Sequence, residues 1–224
     1  MKQPKNKVSP PGRIKIIRAL KQLLVQKDFN SITTAEIAKT AGVTEGLIYK
    51  YFNDKRDLLY KVLLELFELF LRHMKKDLSG IEGALNKLRT IIQSSLYWYD
   101  RQRVFTRILL IEARNSPVFY KSDAYQKCVR EYSKIIIDII NEGILNGEIQ
   151  KNIKPAVIRQ VIQGSIEHAC LPAIIFDRKI STKSIADDLC SIIFMGIKDD
   201  QFVKSQRSDG KEKSSSSRRA NHEE

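Results

Sequence analysis

An all-α fold, a compact three-helix head followed by a larger helical bundle, is what the 224-residue sequence predicts. Three observations carry it. Apolar residues recur at steps of three and four, as in Ile17, Leu20, Leu24 and in Leu59, Val62, Leu63, Leu66, Phe70, the spacing that lines one face of a helix. Sustained period-two alternation, the mark of a half-buried strand, is hard to find. Capping and breaking residues divide the chain into about nine helices, near 13–27, 34–41, 45–51, 55–77, 82–99, 101–114, 119–146, 155–174 and 182–198. The first three are short and close together and the later ones long, with the fourth as the bridge.

The 42% share of hydrophobic residues and only six prolines describe an ordinary globular chain. Its net charge is +13, of which +7 falls in the first 60 residues. Clustered cations of this kind suit a polyanionic partner, either nucleic acid or an anionic membrane surface. Cys128, Cys170 and Cys190 are odd in number and widely spaced, so neither a disulfide framework nor a zinc site is expected, and a reducing cytoplasm fits. No signal peptide and no run of 18 apolar residues is visible, so a soluble protein is expected. Residues 1–12 read as a flexible basic arm. From 202 to 224 the chain is too polar to offset its ordering entropy and reads as a disordered tail.

The head carries the sharpest local signals. Thr33 and Glu36 have capping-box spacing, in which the hydroxyl accepts a first-turn amide and the carboxylate reaches back to the cap amide. Gly42 is placed to end that helix in a left-handed conformation, and Thr44 to cap the next. Ala38, Ala41, Gly42 and Gly46 keep the corner small. The expected unit is helix, tight turn, helix, a geometry that lays its second helix in the DNA major groove. Ile37, Ile48, Phe52 and Leu58 are assigned to its core.

Residues 33–59, Thr-Thr-Ala-Glu-Ile-Ala-Lys-Thr-Ala-Gly-Val-Thr-Glu-Gly-Leu-Ile-Tyr-Lys-Tyr-Phe-Asn-Asp-Lys-Arg-Asp-Leu-Leu, resemble the signature of the TetR/AcrR family of bacterial transcriptional regulators almost throughout. The resemblance implies a helix-turn-helix DNA-binding domain over 13–58 and an effector-binding and dimerisation domain over 59–201. It sets Thr44, Glu45, Gly46, Leu47 and Lys50 toward the major groove, Tyr49 at its edge, and Thr33, Thr34, Tyr51 and Lys55 at phosphates. Hydroxyls, cations and helix N-termini are the groups that satisfy phosphate oxygens. Arg13 and the arm residues Lys2, Lys5 and Lys7 would add contacts. The alternative for Tyr49 and Tyr51 is packing inside the head. Glu45 departs from the neutral or basic residue of many relatives. It either accepts from a cytosine amino group or acts through the helix dipole.

The same resemblance implies a homodimer through the helices near 155–174 and 182–198, reading a palindromic operator, and a small apolar effector that releases it. Val157, Val161, Ile162, Ser165, Ile166, Ala169 and Ile185, Leu189, Ile192, Ile193, Met195 form stripes that suit either an interface or an internal core. Polar groups within apolar helices mark the effector cavity: Trp98, Arg107, Glu112, Tyr132, Glu167 and His168, with Tyr97, Arg114 and Asp177 beside them. Each also has a plain structural reading. Ser116–Gln150 and Gly164–His168 loosely resemble relatives that sense fatty acyl thioesters. No cofactor or metal is implied. An enzyme would need a nucleophile elbow, a phosphate loop or a His-Glu-x-x-His pair, and none is present. A membrane-surface protein would need an exposed apolar face on helix 13–27 beside Arg13, Lys15, Arg18 and Lys21.

Overall fold

The computed structural model describes residues 10–113 and 116–198, the side chain of Glu112 excepted. The basic arm with Lys2, Lys5 and Lys7, Arg114, and the tail lie outside the described residues. Ten α-helices fill these stretches: α1 (Pro11–Gln26), α2 (Thr34–Ala41), α3 (Glu45–Tyr51), α4 (Lys55–Leu78), α5 (Ala84–Arg101), α6 (Arg103–Arg107), α7 (Pro117–Tyr120), α8 (Asp123–Leu145), α9 (Pro155–Ile175) and α10 (Thr182–Ile197). A one-turn 3-10 helix spans Phe29–Ser31, and the chain winds as a π-helix over Ile108–Ala113. The only bridge among the described residues is a single antiparallel pair, Ile149 with Lys198.

Two of the expected helices are divided. The segment expected as one helix over 101–114 breaks at Gln102, the C-cap of α5, and then continues as α6 and the π-helix. The segment near 119–146 begins earlier and is interrupted. Ser116 caps α7 through the Phe119 amide, at 3.4 Å, with Pro117 at the first helical position. Ser122 then stops that turn and accepts the Tyr125 amide at the start of α8.

The chain forms two units. The first contains the head, reaches Leu69 and takes in Val104–Gln126. Its core joins Ile16, Leu20 and Leu23 of α1 to Ile37, Ile48, Phe52, Leu58 and Val62, with Ile108 and Phe119 added from the later segment. Ile37, Ile48, Phe52 and Leu58 are all buried, as expected. The apolar face of α1 is therefore covered by protein, which removes the exposed apolar face that a membrane-surface helix requires. Asp54 caps α4 by accepting the Asp57 amide at 2.7 Å, while Asp57 accepts the Asn53 amide at 3.0 Å. Tyr60 donates to Ser116 at 2.7 Å beside a ring cluster with Phe119 and Tyr125.

The second unit holds Phe70–Arg103 and the chain from Lys127 onward. Here α5 packs against both α9 and α10, burying Leu88, Ile91, Ile92 and Leu96. Ile158, Ile162, Ile166, Cys170 and Ile174 form the inner face of α9 at four-residue steps. Arg103 donates to Asp100, to the Ala173 and Arg178 carbonyls and to Asp177, tying down the end of α9. Gly143 is required by close approach: a β-carbon there would sit 2.7 Å from both Ala84 and Ile149.

The start of α5 is capped from a distance. Its cap residue, Gly83, has φ +81 and no side chain to offer. Instead the buried Glu148 carboxylate accepts from the Ala84 amide at 2.9 Å and the Leu85 amide at 3.2 Å. Replacing Glu148 by Ala strands two buried donors, and should lower unfolding free energy by about 2 kcal/mol. Chemical denaturation of Glu148→Ala beside wild type measures this; an unchanged midpoint would remove the capping role.

Candidate nucleic-acid interface

The α2–α3 corner is built by its caps. Thr33 accepts the Glu36 amide at 3.2 Å, one half of the expected capping box. The other half is replaced: the Glu36 carboxylate pairs with Lys27 at 2.5 Å, and that hydrogen bond is the main reason its pKa falls below the usual carboxylate value. Gly42 has φ +63, a conformation in which a β-carbon is strained, and Val43 closes the turn by donating to the Ala38 carbonyl at 3.0 Å. Thr44 stands at the cap position of α3, yet its hydroxyl makes no capping bond and is exposed, contrary to the role given it as a cap.

On the outer face Thr44, Glu45, Gly46, Tyr49 and Lys50 are exposed. Ile48 is fully buried. Leu47 and Tyr51 are half-buried and pack against the head core, Leu47 also lying against Gly12. Of the two tyrosines, Tyr51 thus takes the packing position, with its ring edge toward Phe52, and Tyr49 is 54% exposed. Thr34 donates to Glu45 at 2.8 Å, and Tyr49 donates to Thr34 at 3.5 Å. Glu45 is therefore oriented by the start of α2. Arg13 is bound to Glu65 at 2.9 Å and lies over the Phe52 ring. The Lys55 ammonium turns inward and donates to the carbonyls of Phe29, Asn30 and Ile32.

The residues expected around an effector divide. Tyr132 is buried in the second unit, near the Ser95 hydroxyl at 3.4 Å and the Phe70 ring, and its burial pushes the phenol up to about 12. Trp98 stacks against Phe70 and His73. Glu167 accepts from Gln163, and Gln163 accepts from Arg159 at 3.0 Å. Trp98 and Tyr132 thus meet at Phe70, and the charges of Glu167 and Arg159 act on the Tyr132 phenol, a grouping that sequence reasoning missed. Its signal was available: Arg159, Gln163 and Glu167 repeat at four-residue steps. His168 is exposed on another face of α9. Arg107 belongs to the first unit, 4.0 Å from Asp28. Tyr97 is exposed and bonded to Arg101; Asp177, at φ +49, is held by Arg103. The Glu112 side chain and Arg114 lie outside the described residues. No cluster of metal-ligating side chains occurs among the described residues, and no described helix is long and apolar enough to cross a membrane.

A capped helix, a glycine corner and a second helix with a bare polar face define a helix-turn-helix DNA-binding head. The pattern describing bacterial regulatory proteins of the tetR family matches residues 16–62, and that of the C-terminal region of YsiA-like protein matches residues 64–196. The chain belongs to the TetR family of bacterial regulatory proteins. It is a transcriptional regulator responsive to a small-molecule effector, not an enzyme, and its family binds DNA as dimers. Among its relatives, the fatty acid metabolism regulator protein of Bacillus subtilis is 25% identical over 187 residues, covering 84% of this chain and 96% of that one. The crystal structure of FadR from Bacillus subtilis in complex with stearoyl-CoA superposes with a TM-score of 0.73 at 24% identity, covering 82% and 98% of the two chains. FadR from Bacillus halodurans gives 0.73 at 19% identity, covering 84% and 97%.

The Thr33 cap closes the first turn of α2, so Thr33→Ala should destabilise the head by about 1 kcal/mol. Amide exchange within α2 reads this directly. Unaltered protection at Glu36 would show that the hydroxyl contributes nothing.

Proposed function

We propose that the chain is a repressor that binds a palindromic operator as a homodimer in the cytoplasm and leaves it when a long-chain fatty acyl thioester occupies the second unit. The observation that carries the DNA reading is the exposed row Thr44, Glu45, Gly46, Tyr49 and Lys50 on a helix whose other face is buried in the head. In this reading those residues meet base edges, and Thr33 and Thr34 meet phosphates. Glu45, held by Thr34, suits a cytosine amino group, the donor that the major groove offers to a carboxylate.

The acyl class is supported by the stearoyl-CoA in the Bacillus subtilis relative and by the interior here. Phe70, Trp98 and Tyr132 supply aromatic surface, and Arg159, Gln163 and Glu167 supply a polar row, the mixture that pockets use to hold and orient a ligand. Helix α4 runs without a break from the head into the second unit, so it is the element through which occupancy would reach DNA. A coupling of about 1 to 3 kcal/mol corresponds to a ~5 to 150-fold loss of affinity. Randomised-site selection with the full chain tests the DNA reading, with Glu45→Ala and Lys50→Ala each expected to alter base preference. Stearoyl-CoA should then weaken binding to the selected duplex at least fivefold. Selection of no preferred sequence would overturn the first reading, and tight stearoyl-CoA binding without release would overturn the second.

The dimer face is the outer side of α9 and α10. The expected stripes divide in two, Ile162, Ile166 and Ile193 facing inward while Val157, Val161, Ile192 and Met195 remain exposed, the last two at 70% and 85%. These apolar residues on helices in contact suit a second copy packed as a four-helix seam. Met195→Lys would place a charge in it. Sedimentation should show monomers, with DNA affinity lost because one head reads one half-site; a dimer of unchanged stability would move the interface elsewhere.

A further inference from the structure

We propose that Thr34 is a positioning residue that sets which base pair Glu45 discriminates, in addition to any contact Thr34 itself makes with a phosphate. This rests on the DNA-binding reading and deepens it, because it places part of the operator preference on a side chain outside the reading helix. The Thr34 hydroxyl donates to Glu45 Oε2 at 2.8 Å, across 11 residues of sequence. A hydroxyl has one proton, so with that proton on the carboxylate the Thr34 oxygen can only accept. The Tyr49 hydroxyl donates to it at the longer distance of 3.5 Å. Glu45 and Tyr49 lie one turn apart on α3, and Thr34 spans the two.

The parts beneath this bond are fixed. Thr33 holds the Glu36 amide with its side chain and the Ile37 amide with its carbonyl, so Thr34 opens α2 on a set backbone. Its β-branch restricts the side chain to few rotamers and so aims the hydroxyl. The corner at Gly42 keeps the start of α3 beside the start of α2, with Ile37 and Ile48 in the shared core. An exposed glutamate otherwise has several rotatable bonds, and a swinging carboxylate can meet the amino group of either cytosine or adenine. Bound to Thr34, it points one way before DNA arrives. The ordering entropy is then met in the free protein, and direction selects the base. The charge is also well placed, at the amide ends of both short helices, where anions are stabilised.

The experiment uses the full chain. Randomised-site selection with wild type and Glu45→Ala first identifies the base pair whose preference depends on Glu45. Affinities are then measured for the selected duplex and for duplexes changed at single pairs, with Thr34→Val, Thr34→Ser and the double variant Thr34→Val, Glu45→Ala. Valine keeps the β-branch and removes the hydroxyl, whereas serine keeps the hydroxyl. Discrimination is a ratio of affinities for one protein, so any unfolded fraction cancels from it. Thr34→Val should lose discrimination at the Glu45 pair roughly fivefold, about what one hydrogen bond is worth, and keep it at the other pairs. Thr34→Ser should retain it. In the Glu45→Ala background Thr34→Val should change discrimination no further, as expected of two residues acting as a unit. A phosphate contact alone weakens every duplex by a similar factor, so a uniform loss in Thr34→Val would overturn the positioning role. A further loss of discrimination in the Glu45→Ala background would do the same, because Thr34 would then act by another route. The two readings fail differently: a wild-type chain that selects no duplex removes the DNA reading and this proposal with it, whereas failure of the positioning role alone leaves the wild-type selection intact.

Discussion

The left-handed turn at Gly42 is the constraint on which the DNA-facing surface depends. It reverses the chain within a few residues, so that Ile37 of α2 and Ile48 of α3 both reach the core that α1 builds with Ile16 and Leu20. With Ile48 buried on one side of a seven-residue helix, Glu45, Tyr49 and Lys50 have no course but outward. A residue with a β-carbon at this corner would strain the backbone and tilt both helices. The polar face is thus a product of packing beneath it, and the hydrogen bond from Thr34 to Glu45 completes the order by linking the starts of the two helices.

The sequence made the head legible because its signals are local. A cap at Thr33, a glycine nine residues on and apolar residues at helical steps define α2 and α3 to their observed ends. The boundaries of α9 were equally legible, opening at Pro155 after a polar stretch. Where reading failed, the deciding contact was distant. Glu36 answers to Lys27, Lys55 to a turn 23 to 26 residues earlier, and α5 to Glu148.

The effector half shows the same limit from another side. Polar residues among apolar ones were easy to find, but their grouping was not. Trp98 and Tyr132 meet through Phe70, an apolar residue, and Glu167 reaches them through its charge on the Tyr132 phenol, while Arg107 belongs to the head's unit and His168 faces away. Helical phase separates Glu167 from His168 even though they are adjacent, since neighbours on a helix point about 100° apart. The run of Arg159, Gln163 and Glu167 is the feature that phase would have singled out.

The cap on α5 also orders events during synthesis. Its acceptor, Glu148, lies 64 residues beyond the Ala84 amide that it satisfies. While the ribosome adds those residues the first turn of α5 has no partner within the chain, and its helix begins frayed. The head waits less, because α1 to α3 pack on one another early and only Ile108, Ala113 and Phe119 join its buried core from the later segment. The nascent protein therefore holds a nearly complete DNA-reading surface before it holds a finished sensor.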